Sequence, residues 1–112
     1  MSELSTTNVL MRINAIKTLL RNRPTLLSIL FPGDGKRFDT TANPDTLDLE
    51  DTADILARLA WDIWNGAGSV EFDRVLHELP EEDFEAFIDS MKDFAALRKK
   101  IRHAYATGTQ ND

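Results

Sequence analysis

The chain has 112 residues, of which 42% are hydrophobic and 29% are charged, proportions that predict one soluble globular domain. It contains no cysteine, which excludes disulfide bonds and cysteine-based metal sites or nucleophiles and fits a cytoplasmic location. The chain starts with polar and acidic residues and has no long apolar run, so we expect neither a signal peptide nor a membrane-spanning segment.

The net charge of −6 is distributed unevenly along the chain. Basic residues outnumber acidic ones in residues 1–37 and again in residues 97–112, whereas residues 38–96 are strongly acidic. Two interpretations remain open at this point. The basic ends fold back onto the acidic body and offset its self-repulsion, or the acidic body binds a basic partner.

The apolar periodicity predicts an all-α fold, a single-domain compact bundle of four or five helices around a central helix at residues 49–65. The domain is expected to comprise residues 1–112, with the first and last helices packed on the central one. Residues 33–47 are rich in aspartate, threonine and glycine and are expected to form a long loop. Residues 107–112 are expected to form a loose tail.

The first helix is expected to start at a capping side chain among residues 6–8 and to end near Arg23. Its apolar residues predict a seam that packs on a neighbouring helix, comprising Val9, Ile13, Ile16 and Leu20. Pro24 is expected to begin a short second helix. The apolar residues 26–31 that follow must then lie in the core or at an interface.

The central helix is expected to be capped by Asp48 and to end at Gly66 in a left-handed conformation. Its buried arc is predicted around Leu56 and Ile63. The opposite side is a narrow polar stripe, comprising Asp51, Asp54, Arg58, Asp62 and Asn65. Trp61 lies at the boundary of this stripe, where it either completes the edge of the core or serves as an exposed anchor for a partner.

A short helix at residues 70–78 is expected after a glycine turn, with Ser69 as its cap. Its inward face is predicted to comprise Phe72, Val75, Leu76 and Leu79. Two helices joined by a short turn also outline a DNA-binding helix-turn-helix. The acidic residues of the second helix would repel phosphates, so DNA binding through this corner is not expected.

The last helix is expected to begin at Pro80, with acidic residues in its first turn and basic residues near its end. This order of charges complements the helix dipole. The inward stripe is predicted to comprise Phe84, Phe87, Ile88, Met91, Phe94, Leu97 and Ile101. The helix is expected to end at Thr107 and Gly108.

No residue pattern predicts a catalytic site, so the chain is expected not to be an enzyme. His77 lies four residues after Asp73, as in a surface pair, and His103 stands among basic residues. One run matches part of a calcium-loop spacing and comprises Asp39, Thr41, Asn43, Asp45 and Glu50. Pro44 occupies the position that needs glycine for the sharp turn, so no metal or other cofactor is expected.

The leading hypothesis is a non-enzymatic protein–protein interaction module, an adaptor or an inhibitor, that presents an acidic surface to a basic partner. The predicted partner-binding residues are Asp45, Asp48, Glu50, Asp51, Asp54, Trp61, Asp62, Glu81, Glu82 and Glu85. If the partner is a nucleic-acid-binding machine, the acidic body could occupy its basic groove as a mimic of DNA. In size, charge and the corner at residues 64–66, the chain resembles small acidic helical proteins of phages and mobile elements, which assigns no residue a role.

The alternative hypothesis is a nucleic-acid-binding protein that uses its basic terminal helices. This hypothesis needs both helices to converge on one face, with the binding residues Arg12, Lys17, Arg21, Arg23, Arg98, Lys99, Lys100 and Arg102. A membrane partner is not expected. Homodimerisation is a further prediction, because the apolar content of residues 26–31 and of the central helix is generous for one small bundle.

Overall fold

The computed structural model describes the backbone of residues 3–111 and the side chains of residues 7–103. The backbone forms five helices, joined by turns and one long loop. They are α1 (Glu3–Leu19), α2 (Pro24–Leu30), α3 (Asp51–Asn65), α4 (Phe72–Glu78) and α5 (Glu81–Asn111). The prediction of an all-α bundle with a loop before the central helix is confirmed.

The longer helices α1, α3 and α5 form the body of the bundle, and α1 contacts both of the others. Arg12 of α1 donates to the carbonyl of Ile63 near the end of α3 and lies over the ring of Phe94 in α5. Arg23, just beyond α1, pairs with Asp83 at the start of α5. Both α3 and α5 therefore run antiparallel to α1. The sequence analysis expected α5 to pack on the central helix, but its most extensive contact is with α1.

The core is built mainly from the apolar faces of α1, α2 and α3. The predicted seam of α1 is buried except at Val9, which is 43% exposed. The arc around Leu56 and Ile63 is buried as predicted. A helix of only seven residues is not stable by itself, so α2 depends on its buried side chains. The buried side chains in α2 or directly after it are Leu26, Leu30 and Phe31.

The loop between α2 and α3 is fastened to the core by Phe38, which the sequence analysis did not identify as buried. Its ring stacks on Trp64 with the centroids 4.9 Å apart and meets Phe31 and Trp61 edge to face. The indole Nε1 of Trp61 donates a hydrogen bond to the carbonyl oxygen of Ala42 at 2.8 Å. Trp61 thus completes the edge of the core, and its polar atom is used inside the molecule.

The start of α3 differs from the expected one. The cap is Glu50, whose carboxylate accepts a hydrogen bond from the backbone N–H of Ala53 at 2.9 Å. Asp48, the expected cap, lies two residues earlier and has a positive φ of 51°. Its backbone turns the chain into the helix, and its side chain does not cap it. Gly66 ends α3 in the left-handed conformation, as predicted, with a φ of 80°.

The bounds of α1 also differ from the expected ones. The helix begins at Glu3, ahead of the expected capping residues 6–8, and ends at Leu19 rather than near Arg23. The residues after Leu19 form a hydrogen-bonded turn, in which the backbone N–H of Arg23 donates to the carbonyl of Leu20 at 2.9 Å. This turn lets α2 begin at Pro24, as predicted.

The short helix α4 begins at Phe72, later than expected, and the expected cap Ser69 instead has a positive φ of 54°. Val75 is fully buried, but Phe72 is 66% exposed and Leu76 is 51% exposed, so half of the predicted inward face is wrong. The side of α4 that faces α3 instead carries Val75 and Arg74, and Arg74 donates from Nη1 to Asp54 of α3 at 3.1 Å.

The predicted stripe of the last helix, α5, is confirmed in part: Phe84, Phe87, Met91 and Phe94 are half-buried and pack against the core, but the most deeply buried side of the helix lies next to them. Its fully buried side chains are Asp83, Ala86, Ser90 and Leu97. Small side chains at two of these positions let α5 approach α1 closely. Most of the predicted stripe lies beside this contact and is only half-buried, and Ile88 is 41% exposed. The helix also continues to Asn111, past the expected end at Thr107 and Gly108.

Candidate interaction site

The predicted polar stripe of α3 is part of an internal network of ion pairs. Oδ2 of Asp54 accepts hydrogen bonds from Nε of Arg58 at 3.0 Å and from Nη1 of Arg74 at 3.1 Å. Nη2 of Arg58 also donates to Oδ1 of Asp45 at 2.6 Å. These hydrogen bonds raise the pKa of both arginines above the ordinary value. The network joins the loop, α3 and α4, so Asp45 and Asp54 stabilise the fold.

Asp62, a further residue of the stripe, fastens the turn that follows α3. Its Oδ1 accepts a hydrogen bond from the backbone N–H of Gly68 at 2.8 Å. Gly68 is buried against α3, and a Cβ added there would lie 1.8 Å from the carbonyl oxygen of Arg58. A change of charge at Asp54 or Asp62 would therefore disturb folding, so neither position can test partner binding alone.

The remaining predicted carboxylates are exposed and form no ion pair with any residue in the range 7–103. They belong to the starts of α3 and α5, which lie at the same end of the bundle because both helices run antiparallel to α1. We call this group the acidic end; it comprises Asp48, Glu50, Asp51, Glu81, Glu82 and Glu85.

Arg23 lies between the two halves of the acidic end. Its guanidinium forms a forked pair with Asp83, with Nη2–Oδ2 at 2.6 Å and Nε–Oδ1 at 3.3 Å. This hydrogen bonding raises the pKa of Arg23, and the negative charges of Glu50 and Glu82 raise it further. Arg23 pairs with Asp83 of α5 and lines one groove with Leu49 and Ala53 at the start of α3, so the starts of α3 and α5 are neighbours.

The Arg23–Asp83 pair is also the deepest charged contact among the described residues. The side chain of Asp83 is fully buried, whereas that of Arg23 is 31% exposed. Nδ2 of the adjacent Asn22 donates to the carbonyl of Glu82 at 3.0 Å, which holds the same turn. The pair therefore fixes the first turn of α5 against the corner between α1 and α2. The sequence analysis missed this pair because two residues sixty positions apart form no local sequence pattern.

The basic residues of the alternative hypothesis divide into two groups. Those near α1 make internal contacts: Arg21 pairs with Asp89 at 2.7 Å, and Nζ of Lys17 lies 5.2 Å from the ring centroid of Phe31. Arg12 donates from Nη1 to the carbonyl of Ile63 at 2.7 Å. The group in α5 is exposed and forms no ion pair within residues 7–103; it comprises Arg98, Lys99, Lys100 and Arg102.

The two basic groups converge only in part. Arg12 of α1 joins Arg98 and Arg102 of α5 around a groove of about 390 Å³, whose other lining residues are Phe94, Leu97 and Ile101. Lys17 and Arg21 lie on the other side of α1, where they line a separate groove. The eight predicted residues therefore do not form one nucleic-acid-binding face.

The oxygens of the calcium-like spacing stabilise turns. Oδ1 of Asp39 accepts from the backbone N–H of Thr41 at 2.9 Å and from its hydroxyl at 2.6 Å, and this hydrogen bonding lowers the pKa of Asp39. Oδ1 of Asn43 accepts from the backbone of Asp45 at 2.9 Å. His77 and His103 are exposed. Residues 7–103 contain no group of three His, Cys, Asp or Glu side chains placed to hold a metal ion.

Comparison with protein-family models, with curated proteins and with solved structures finds no match for this chain. Over the described part of the chain, no helix is both long enough and apolar enough to cross a membrane. The geometry and charge of the molecule itself therefore carry the functional argument.

Proposed function

We propose that this protein is a non-enzymatic interaction module that presents its acidic end to a basic surface of a partner protein. The observation that carries the proposal is the contrast among its carboxylates. Asp54 and Asp45 pair with arginines inside the molecule, whereas six exposed carboxylates gather at one end without such partners. Neighbouring like charges repel, and a basic partner surface would relieve that repulsion while steering the encounter.

The partner class that fits best is a protein whose own surface binds nucleic acid. Such a surface is basic and accepts closely spaced negative charges. Carboxylates at the starts of two neighbouring helices provide that pattern, and occupation of the surface would exclude DNA or RNA. The protein would then act as an inhibitor or an adaptor, in keeping with its resemblance in size and charge to small acidic proteins of phages and mobile elements.

The test compares two charge reversals that are matched in number and in position at helix starts. Asp51→Lys with Glu82→Lys changes the acidic end, and Glu71→Lys with Asp73→Lys changes the start of α4 by the same amount. All four side chains are exposed, and none forms an ion pair with another described residue. Both variants are expected to fold, with a small loss of helix-dipole stabilisation in each.

The assay is affinity capture from the native host, followed by mass spectrometry and by binding measurements on each captured protein. The acidic-end variant is expected to bind the partner at least about tenfold more weakly, mainly through slower association, and the α4 variant to bind normally. Capture that is unchanged in the acidic-end variant, or equally reduced in both, would refute the acidic end as the binding surface.

A second candidate function, direct binding of nucleic acid, is supported by the exposed basic group in α5. Its four residues carry no internal ion pair within residues 7–103, and two of them share a groove with Arg12. A gel-shift assay at low salt tests this function, because phosphate contacts are strongest there. Lys99→Glu with Lys100→Glu should abolish any shift. If the unmodified protein shifts no nucleic acid at low salt, direct nucleic-acid binding is refuted.

A further inference from the structure

One side of α5, next to its contacts with the rest of the bundle, carries a continuous row of residues. Their spacing alternates between three and four positions, which places them on one side of a helix. We call this row the outer face of α5; it comprises Glu81, Phe84, Ile88, Met91, Ala95, Arg98 and Arg102. Five of these residues are exposed, and Phe84 and Met91 are half-buried. Within this row, Phe84 and Met91 also pack against the core, and Arg98 and Arg102 border the groove beside Arg12. The most deeply buried residues, such as Ala86 and Leu97, lie on the other side of the helix.

Charge and hydrophobicity change in a fixed order along the outer face. It begins with Glu81, beside Glu85, continues through the apolar residues, and ends with Arg98 and Arg102. Ile88, near the middle, is 41% exposed, although a large aliphatic side chain is usually buried. Rotating this face by 180° brings its acidic beginning opposite its basic end. The face is therefore complementary to itself.

We propose that the protein forms a homodimer in which the outer faces of two α5 helices pack antiparallel about a two-fold axis. In the register that matches the spacing, Glu81 of one copy lies opposite Arg98 of the other. Phe84 then lies opposite Ala95, and Ile88 lies opposite Met91. Each apolar residue meets an apolar residue, Glu81 meets Arg98, and every contact occurs twice, as an isologous interface requires. Arg102 lies beyond the last of these pairs.

A second copy fits this face better than an unrelated partner because the chain itself supplies both halves of the charge pattern. The antiparallel arrangement also closes at two copies and leaves no free face from which a polymer could grow. The paired residues 81–98 extend about 26 Å at 1.5 Å per residue, so the interface is a single helix pair. Such a small interface predicts a weak dimer whose population depends on protein concentration.

The dimer and the proposed function use different residues for the most part. Glu81 lies at the helix pair, whereas Glu82 lies on another side of α5, and Glu50 and Asp51 lie at the start of α3. The dimer does not depend on the proposed function. Asp51→Lys with Glu82→Lys is expected to leave the dimer intact, so failure of one proposal is distinguishable from failure of the other.

The first experiment is sedimentation velocity of the full chain over a wide range of concentrations. The unmodified protein should shift from monomer to dimer as its concentration rises. Ile88→Glu should weaken the dimer at least about tenfold, because it places a carboxylate at the apolar centre of the interface. Leu10→Glu is the matched control, since Leu10 is 56% exposed on α1, and should dimerise normally. Circular dichroism establishes that each variant is folded.

The second experiment is a charge swap. Glu81→Arg alone and Arg98→Glu alone each place like charges opposite one another and should weaken the dimer, whereas the double variant should restore it. An unmodified protein that stays monomeric at every concentration overturns the proposal. It is equally overturned by a dimer that tolerates Ile88→Glu, or by a double variant that behaves as the sum of the single variants.

Discussion

Replacing Gly68 by alanine tests how closely the turn after α3 packs on that helix. The added Cβ would lie 1.8 Å from the carbonyl oxygen of Arg58 and 2.7 Å from its carbonyl carbon. Both are backbone atoms of a helix, so no change of side-chain rotamer relieves the overlap. The turn would have to move outward by about 1.5 Å to restore ordinary contact distances.

That movement would break the hydrogen bond from the backbone N–H of Gly68 to Asp62, now 2.8 Å long. Hydrogen bonds to charged groups contribute about 1.5–3 kcal/mol, and overpacking costs about 1–3 kcal/mol. We therefore expect Gly68→Ala to lower the free energy of unfolding by about 3–5 kcal/mol. For a chain of this length, that corresponds to a fall in Tm of about 10–20 °C or more.

The assay is thermal and urea unfolding followed by circular dichroism, with Gly33→Ala as the control. Gly33 has a φ of 67°, and nothing lies within 4 Å of a Cβ added there. Its substitution therefore costs only the strain of a left-handed alanine, about 1–2 kcal/mol. If Gly68→Ala is no less stable than Gly33→Ala, the close approach of the turn to α3 is wrong.

Two further predictions concern ion pairs. Asp83→Ala should lower the free energy of unfolding by about 3–5 kcal/mol in urea denaturation, because it leaves the partly buried Arg23 without its partner, whereas Asp89→Ala, in an exposed pair, should lower it much less. The hydrogen bond from Arg21 lowers the pKa of Asp89 in the folded protein. The ionised carboxylate therefore stabilises the fold at a pH above its unfolded pKa near 4, and this contribution is lost as the pH falls through the folded pKa. The difference in Tm between the unmodified protein and Arg21→Gln should therefore be present at about pH 6 and vanish towards about pH 2; a constant difference contradicts it.

The sequence predicted most of the helical architecture because the apolar residues of α1 and α3 repeat over several turns. A period of 3.6 residues is unambiguous over fifteen residues or more. The same reasoning failed for α4, where seven residues give only two turns. There the inward side includes Arg74, whose contact with Asp54, twenty residues earlier in the chain, gives no periodic signal. The start of α3 was misplaced because Asp48 and Glu50 both carry a carboxylate that can cap a helix.

The buried face of α5 was predicted only in part, for a different reason. Periodicity identifies the most apolar side of a helix, and the phenylalanines mark that side of α5. Close packing against α1 instead selects small residues, Ala86 and Ser90, together with the buried Asp83. The charge of Asp83 is neutralised by Arg23, which lies sixty residues earlier in the chain, and only the fold shows that the two residues meet. Hydrophobicity alone therefore could not orient this helix.

The charge layout shows both what the sequence could indicate and what it left open. One interpretation of the uneven charge was that the basic beginning offsets the acidic body, and the pairs of Arg21 with Asp89 and of Arg23 with Asp83 do so. Counting charges could not show which carboxylates remain without a partner. Asp54 and Asp62 are used within the fold, while Glu50 and Glu82 come together beside Arg23.

The two proposals together have a consequence for binding strength. In an antiparallel pair of α5 helices, the acidic ends of the two copies lie at opposite ends of the pair, separated by a length on the order of 30 Å. A dimer would thus present two acidic surfaces that face outward. A partner with two suitably spaced basic sites would bind both at once and gain affinity from the higher effective concentration, whereas a partner with one site would not. Ile88→Glu should therefore weaken binding to a two-site partner and leave binding to a one-site partner unchanged. Equal effects on both would show that the contribution of Ile88 to partner binding does not depend on the dimer.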